Sequence, residues 1–388
     1  MKRVVIGHEA RTNRHGYIFV APFVIAFLFF NLWPTINTFM VSFTDLRGLR
    51  NDYVFTNAKC PRCSSASDLI GRGFVFDPCN VCEGIGTITK DESVSECEFC
   101  NGEGYFRYPC DTCNETGTIT PVVFNYKKLI SDPYFWQALG NTFIIWTFNF
   151  IPQLGIALML AIWLSDARLN LAGKGLFRAV IYLPNLLTAA SIALLFRSLF
   201  GFGGHNNAPA NQFLRAIGYY QTVDGQLVGD MINFFRSVPF SRGLVAFIQW
   251  WMWYGHTLIM LMAGITSIPI SLYESATVDG ANSRQTAWYI TMPLLRPMML
   301  YILITSMIGG MQMFDIPFLL TDMRGAPDFR IRTTVLYQYN IAFQGVNDRA
   351  YGAAISIGIF TITVILALLI FFFLQDRSEI KKRKGGVQ

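Results

Sequence analysis

The sequence predicts an all-α polytopic membrane protein with about six transmembrane helices, because it is rich in apolar residues, poor in charge and divided into long hydrophobic stretches. Of its 388 residues, 52% are hydrophobic and 14% are charged, whereas soluble proteins average about 25% charged residues. This composition excludes an ordinary soluble enzyme. The formal net charge of +6 is concentrated near both ends of the chain, which is typical of orientation in a lipid bilayer and not of nucleic-acid binding.

Six stretches are apolar enough and long enough to cross a hydrocarbon layer, for which a helix needs about 20 residues. We expect the first to remain in the mature chain, because its apolar run is longer than the core of a signal peptide and no small-residue cleavage site follows it. The six predicted spans are Gly16–Phe43, Phe135–Ser165, Leu176–Phe200, Gly243–Ile268, Met298–Leu320 and Tyr351–Leu374.

The distribution of Lys and Arg predicts that both termini are cytoplasmic, since basic residues accumulate on the inner side of a membrane. An even number of spans returns the basic tail at 377–388 to the side on which the chain begins. The same orientation places the basic residues between the second and third spans, and between the fourth and fifth spans, inside. The protein is therefore expected to be a multi-pass protein of the plasma or inner cell membrane, with its longest loop outside the cell.

The connection between the fourth and fifth spans, residues 269–297, carries the most specific pattern in the sequence. Pro269 precedes a segment that predicts a short helix with Glu274 in its first turn, where the helix dipole favours an anion. Gly280 supplies a turn that can require a positive φ, and Pro293 is expected to close a second amphipathic stretch. We predict a compact cytoplasmic elbow; an interfacial amphipathic loop is the alternative.

This connection resembles the cytoplasmic signature of permease subunits in binding-protein-dependent ABC importers. The pattern E-[SA]-A-x-x-D-G-A is followed by I-x-x-P-L-L-x-P, and the similarity covers about residues 10–55 and 121–378. It looks like the sugar-permease branch, which is related to the larger maltose permease subunit. The other matching segments are Phe124–Leu129, Phe135–Thr142, Tyr182–Pro184, Phe314–Asp315 and Leu319–Thr321.

The resemblance implies that the elbow is a coupling helix that fits into a separate ATPase subunit and transmits ATP-driven closure to the membrane helices. The chain itself contains no G-x-x-x-x-G-K-[ST] phosphate loop, so we expect it to bind no nucleotide and to be a transport subunit, not an enzyme. The implied partners are a second homologous permease, two ATPase subunits and an extracytoplasmic solute-binding protein. The residues implied in ATPase coupling are Glu274, Ser275, Ala276, Asp279, Gly280 and Pro293.

Polar side chains in the fourth and fifth spans predict a path for a neutral polar solute. Such side chains are costly in lipid, so they tend to face a cavity or another helix. Amide groups with aromatic faces suit sugars; the predicted contacts are Gln249, Trp251, Tyr254 and Gln312. The alternatives are an interfacial aromatic belt and hydrogen bonds between helices.

All eight cysteines lie in the first long loop, in four C-x-x-C pairs. Two such pairs can supply the four thiolates of a structural zinc site, so four pairs predict two Zn²⁺ ions as cofactors. Disulfides are the alternative, because the loop is expected outside the cell, and C-x-x-C can also support redox chemistry. The predicted ligands are Cys60, Cys63, Cys79, Cys82, Cys97, Cys100, Cys110 and Cys113.

The second and third cysteine pairs continue as C-x-x-C-x-G-x-G, which resembles the cysteine-rich domain of DnaJ-type chaperones. The resemblance implies that the outer two pairs bind one zinc ion and the inner two the other, in an inserted domain of β-hairpins with little hydrophobic core. The expected organisation is a tail and first span at 1–55, the insertion at 56–120, a permease core at 121–376 and a basic tail at 377–388.

Two other functions fit parts of the sequence. The importer could carry glycerol phosphate or another polar metabolite, although no clear basic pair lies inside the spans. The helices could instead anchor a zinc chaperone or redox module, but an anchor needs only one span and no elbow. We therefore predict an ATP-driven importer subunit for a sugar or oligosaccharide.

Overall fold

The computed structural model describes a mostly helical chain. The described residues are 17–46, 58–59, 74–78, 87–90, 93–96, 105–109, 118–165, 173–201, 208–219, 222–223, 226–227, 231–321, 325–344 and 347–374. The chain divides into two compact units. The first comprises Met1–Ser131 with Ile341–Ile357, and the second comprises Asp132–Asn340 with Gly358–Gln388.

The described helices follow the predicted spans with shorter helices between them. Helix α1 contains a π-helical turn at Leu28–Leu32, and a second π-helical turn lies at Ala287–Thr291, between α9 and α10. The helices are α1 Tyr17–Val41, α2 Pro121–Ser131, α3 Pro133–Ser165, α4 Lys174–Leu186, α5 Ala189–Phe200, α6 Pro209–Ala216, α7 Val238–Thr266, α8 Ile270–Val278, α9 Ser283–Thr286, α10 Met292–Leu294, α11 Arg296–Met311, α12 Asp315–Leu320, α13 Thr334–Phe343 and α14 Arg349–Leu374; a 3₁₀ turn lies at Phe234–Arg236.

Four helical stretches among the described residues are long and apolar enough to cross a membrane: α1, α3, α11 with α12, and α14. Two bent helix pairs, α4 with α5 and α7 with α8, raise the number to six if each pair forms one span. The predicted number of spans agrees with this upper value.

The third predicted span is not one straight helix. Helices α4 and α5 meet at 84°, because Leu187 and Thr188 adopt extended backbone angles between them. The Thr188 hydroxyl accepts a hydrogen bond from the Ser191 N–H and so caps α5. Pro184 lies in the last turn of α4 and has no N–H to extend the helical ladder. The prediction of one continuous helix over this region is wrong for this reason.

The second unit is built around the contact between α3 and α7. Ala157 and Ala161, one helical turn apart on α3, are fully buried beside Leu258 and Leu261 of α7. Small side chains allow membrane helices to approach closely. On α7, a Cβ atom at Gly255 would lie 2.6 Å from the Ile181 carbonyl oxygen of α4. The glycine therefore permits direct contact with the backbone of the neighbouring helix.

In the first unit, α2 binds the end of α1 through side-chain hydrogen bonds. The buried Asn125 amide donates to the carbonyl oxygens of Ser42 and Thr44, at 3.1 and 3.0 Å. The Lys128 ammonium lies 3.8 Å from an Asp348 carboxylate oxygen. The two Asn125 hydrogen bonds satisfy backbone carbonyls that lie beyond the end of α1.

Short antiparallel strand pairs occur between α1 and α2. Strands β1 Ala58–Lys59 and β6 Thr118–Ile119 pair at the two ends of this segment. Strand β2 Phe74–Pro78 pairs with β5 Tyr105–Pro109, and β3 Thr87–Lys90 pairs with β4 Ser93–Glu96. The strand pairs are nested, with β3–β4 inside β2–β5 and β2–β5 inside β1–β6 along the sequence, so the first and last strands of the segment are neighbours. A further pair, β7 Thr222–Val223 with β8 Gln226–Leu227, lies between α6 and α7.

Substitution of Gly255 tests the contact between α4 and α7. We expect Gly255→Ala to lower the free energy of unfolding by about 1–3 kcal/mol, the usual cost of overpacking, because the neighbouring atoms are backbone and cannot rotate away. Thermal unfolding of the detergent-solubilised protein measures the effect. Gly243→Ala on the same helix is the control, since no atom lies within 4 Å of its Cβ position. Equal stability of the two variants would contradict the proposed contact.

Candidate functional site

The second unit contains a cavity of about 430 Å³ among α3, α7, α11 and α12. This volume is within the usual range for binding sites of small molecules. The lining mixes apolar and hydrogen-bonding side chains. The polar groups most relevant to a solute are Asn149, Gln153, Gln249, His256, Gln312 and Asp315.

The structure places two of the four predicted solute contacts at this cavity. Gln249 and Gln312 line it, whereas Trp251 and Tyr254 do not. Trp251 packs against the buried core and meets the Phe196 ring edge-on, with 6.2 Å between ring centroids. Tyr254 meets the Trp250 ring in a similar geometry at 5.8 Å. The cavity therefore brings together two of these four residues, and their contact with a solute stays a prediction.

Helical periodicity explains which residues of α7 face the cavity. With about 3.6 residues per turn, Gln249, Trp253 and His256 fall on one face of the helix. All three line the cavity, and the Trp253 and His256 rings are perpendicular, with centroids 6.1 Å apart. Trp251 and Tyr254 point in other directions. The four predicted contacts share side-chain chemistry suited to sugars, but those on α7 do not share one face of that helix.

Helix α3 contributes two buried amides that the sequence prediction did not assign to the solute path. Asn149 and Gln153 lie one turn apart and both line the cavity. The Gln153 amide nitrogen donates to the Thr257 hydroxyl of α7 at 2.8 Å. The signal that could have revealed them is two amides at i and i+4 in an otherwise apolar span.

The elbow has the predicted short helix and turn. Helix α8 begins directly after Pro269, and Gly280 has a φ of +76°. The Asn282 side chain accepts from the Gln285 N–H, and the Gln285 side chain accepts from the Asn282 N–H, which forms a capping box for α9.

Two details of the elbow differ from the prediction. Glu274 is the fifth residue of α8 and not part of its first turn, because the helix already begins at Ile270. Pro293 lies inside α10, and the helical path breaks after it, at Leu295. The π-helical turn at Ala287–Thr291 ends two residues before this proline. A wider turn accommodates a residue that cannot donate to the helical ladder.

Most residues of the predicted coupling set are accessible on the surface of the elbow. The only buried member is Ala276, which is 8% exposed. The exposed members are Glu274, Ser275, Asp279, Gly280 and Pro293. A second cavity of about 410 Å³ lies between α8 and the ends of α3 and α7, and Tyr273, Glu274 and Thr277 are among its lining residues.

A polar network joins α3, α7 and the segment before α13. The Asn141 amide donates to the carbonyls of Phe329 and Arg332 at 2.9 and 3.1 Å, and the Arg242 guanidinium donates to the Asn141 side-chain oxygen. The Arg332 guanidinium lies over the Phe329 and Tyr337 rings. Burial lowers the pKa of Arg332 from its ordinary value, and nearby Tyr337, Asp132 and Tyr134 act in the opposite direction.

The prediction of two structural zinc ions is contradicted. Among the residues that the structure describes, no three His, Cys, Asp or Glu side chains are grouped so that they could hold a metal ion. The spacing within a C-x-x-C pair brings only two thiols together, whereas a zinc site needs two pairs to converge, which spacing does not determine. The predicted ligands, all outside the described residues, are Cys60, Cys63, Cys79, Cys82, Cys97, Cys100, Cys110 and Cys113.

Apolar helices around a polar cavity, with an accessible helical elbow between two of them, define a subunit of a membrane transporter. The chain belongs to the family described as binding-protein-dependent transport system inner membrane component, whose profile matches residues 142–381.

Individual relatives agree with this assignment. The chain is 32% identical to the lactose transport system permease protein of Rhizobium radiobacter, over 66% of this chain and 80% of that protein. It is 28% identical to the arabinooligosaccharides transport system permease protein of Bacillus subtilis, over 63% of this chain and 73% of that protein.

A solved structure shares the fold. It is a bacterial ABC transporter involved in the import of the acidic polysaccharide alginate, and the superposition has a TM-score of 0.55. The identity is 20%, over 65% of this chain and 82% of that chain.

Proposed function

We propose that this chain is the permease subunit of an ATP-driven importer that carries a neutral sugar or oligosaccharide. The observation that carries the proposal is the cavity in the second unit, with side-chain amides on α3, on α7 and in the turn after α11, and an indole ring at its wall. Amides hydrogen-bond to hydroxyl groups, and aromatic rings cover the C–H faces of sugars. The lactose and arabinooligosaccharide permeases named above support the same class of solute.

The charge of the cavity favours a neutral solute over glycerol phosphate. Asp315 supplies a carboxylate, and no Lys or Arg occurs among the described residues that line the cavity. A phosphate group is normally bound by Arg, Lys or several backbone N–H groups. We therefore propose that Gln249 and Gln312 contact the solute. As the aromatic contact we propose Trp253, in place of the predicted Trp251 and Tyr254.

The elbow is the proposed docking site for a separate ATPase subunit. Its accessible acidic and small residues surround a tight turn, a shape that can enter a cleft of a partner. We propose that the exposed Glu274 and Ser275 contact the ATPase and that the buried Ala276 supports the helix that presents them. Asp279 and Gly280 shape the turn, and Pro293 positions the start of the following span.

The proposed assembly contains a second permease, two ATPases and an extracytoplasmic solute-binding protein. The alginate transporter has been solved in complex with a periplasmic protein that holds an alginate pentasaccharide, which supports a binding protein as the donor of solute. We further propose that both termini and the elbow are cytoplasmic, in agreement with the distribution of basic residues.

Solute uptake tests the proposed function. The assembly is purified through a tag on this chain, reconstituted into proteoliposomes with its binding protein, and supplied with ATP inside. We expect uptake of a neutral oligosaccharide such as lactose or an arabinooligosaccharide. We expect no uptake of glycerol phosphate, because no Lys or Arg occurs among the described residues that line the cavity. Uptake of glycerol phosphate alone would overturn the choice of solute.

Substitution of Gly280 tests the coupling role of the elbow. A β-branched residue at φ +76° costs about 1–3 kcal/mol, so Gly280→Val should distort the turn and lower ATP-dependent uptake by roughly tenfold. Gly280→Asn is the matched control, because Asn tolerates a positive φ; no atom lies within 4 Å of the Cβ position to confuse the comparison. Normal uptake by Gly280→Val would exclude the coupling role.

We propose that residues 56–120 are an inserted domain and that the permease core does not need this domain for transport. The pairing of β1 with β6 brings the two ends of this segment together, so a short linker can replace it. Replacement of residues 57–119 by a Gly-Ser linker should leave uptake within about twofold of the unaltered assembly. Loss of uptake by a variant that still reaches the membrane and retains its partners would show that the segment takes part in transport.

A further inference from the structure

Asn149 of α3 has an unusual hydrogen-bonding state for a residue in a membrane helix. It is 6% exposed and lines the cavity, yet its side-chain oxygen Oδ1 has no hydrogen-bond partner among the residues that the structure describes. Buried polar atoms are nearly always paired, and an exception calls for a functional explanation. An amide oxygen accepts hydrogen bonds and cannot donate them. The missing partner must therefore bring an O–H or N–H group.

The wall around Asn149 is held in place by contacts that do not use this oxygen. Gln153, one turn further along α3, donates to the Thr257 hydroxyl at 2.8 Å. The Thr257 hydroxyl in turn donates to the Trp253 carbonyl at 3.3 Å. These bonds join α3 to α7 beside Asn149, so the wall is preorganised by contacts that leave the Asn149 oxygen without a described donor.

The other groups of the cavity define which donor fits. The Trp253 side chain is 46% exposed and stands beside His256. The carboxylate of Asp315 disfavours anions, and cationic side chains are absent from the described lining. A ligand that presents hydroxyl groups and a C–H face, without negative charge, matches this combination of acceptor, aromatic ring and carboxylate.

We infer that Asn149 is a specificity-determining residue whose Oδ1 accepts a hydrogen bond from one hydroxyl group of an uncharged polyhydroxy solute. The inference rests on the proposed function, because it requires the solute to pass through this cavity. It adds a recognition residue on the second span and assigns to that residue one hydrogen bond with the solute. A site built to bind a hydroxyl group discriminates strongly against an analogue that lacks it.

The test pairs a substitution in the protein with a deletion in the solute. The probe is the neutral oligosaccharide with the fastest uptake, together with its monodeoxy analogues, each lacking one hydroxyl. The complete assembly in proteoliposomes is used with the same binding protein throughout, so discrimination by that protein cancels between variants. The measured quantity is the ratio of the uptake rate of the parent sugar to that of each deoxy analogue. For one ring position, we expect this ratio to be about tenfold larger in the unaltered assembly than in the Asn149→Leu assembly.

The matched control is Asn340→Leu. The Oδ1 of Asn340 is also buried and has no partner within the described part of the chain, but Asn340 does not line the cavity. This variant should keep the preference for the parent sugar at every position. Asn149→Asp, which retains an acceptor oxygen, should keep it as well, and Asn149→Ala replaces Asn149→Leu if the latter does not assemble.

Each outcome separates this inference from the proposed function. Uptake of the parent sugar with unchanged discrimination in both Asn149→Leu and Asn149→Ala overturns the role of Asn149 and leaves the importer intact. A purely structural role would lower uptake of the parent and of all analogues in the same proportion, which also overturns the inference. Uptake of no neutral sugar by the unaltered assembly overturns the proposed function, and the inference falls with it.

Discussion

A peptide group inside a lipid bilayer has no water with which to form hydrogen bonds, and this constraint governs the architecture of the chain. Its long apolar segments are helices because a helix satisfies its own backbone. Where the helical ladder stops, another group takes over. The Thr188 hydroxyl caps α5 after the bend, and the Asn125 amide donates to two carbonyls beyond the end of α1. The polar side chains at the helix breaks are thus part of the fold.

The same constraint determines where a transport path can form. A polar side chain in a span must find a partner or face a cavity, and the second unit uses both solutions. Asn141 and Arg242 are engaged in a network with the segment before α13, whereas Asn149, Gln249 and Gln312 face the cavity. Close packing joins α3 to α7 through Ala157 and Ala161, and α7 to α4 through Gly255, and so fixes the spacing of the helices that carry the cavity.

The elbow shows how far local sequence signals extend. Pro269 and Gly280 each act on their own backbone conformation, so the start of α8 and the turn after it could be predicted. The position of Glu274 within α8 and the continuation of the helix through Pro293 could not. A π-helical turn before the proline depends on how the whole connection packs. The bend between α4 and α5 was missed for a similar reason, since apolar composition alone does not reveal a cap inside a span.

The sequence by itself determined the membrane class, the approximate spans and the elbow, because hydropathy, proline and glycine act over a few neighbouring residues. Only the tertiary structure decided which polar residues meet. It placed Gln249 and Gln312 at one cavity with Asn149, and turned Trp251 and Tyr254 towards other aromatic rings. It also contradicted the two zinc ions, since within the described residues no potential ligands converge. Convergence of side chains from distant helices or hairpins depends on packing in three dimensions, which residue type and spacing do not specify.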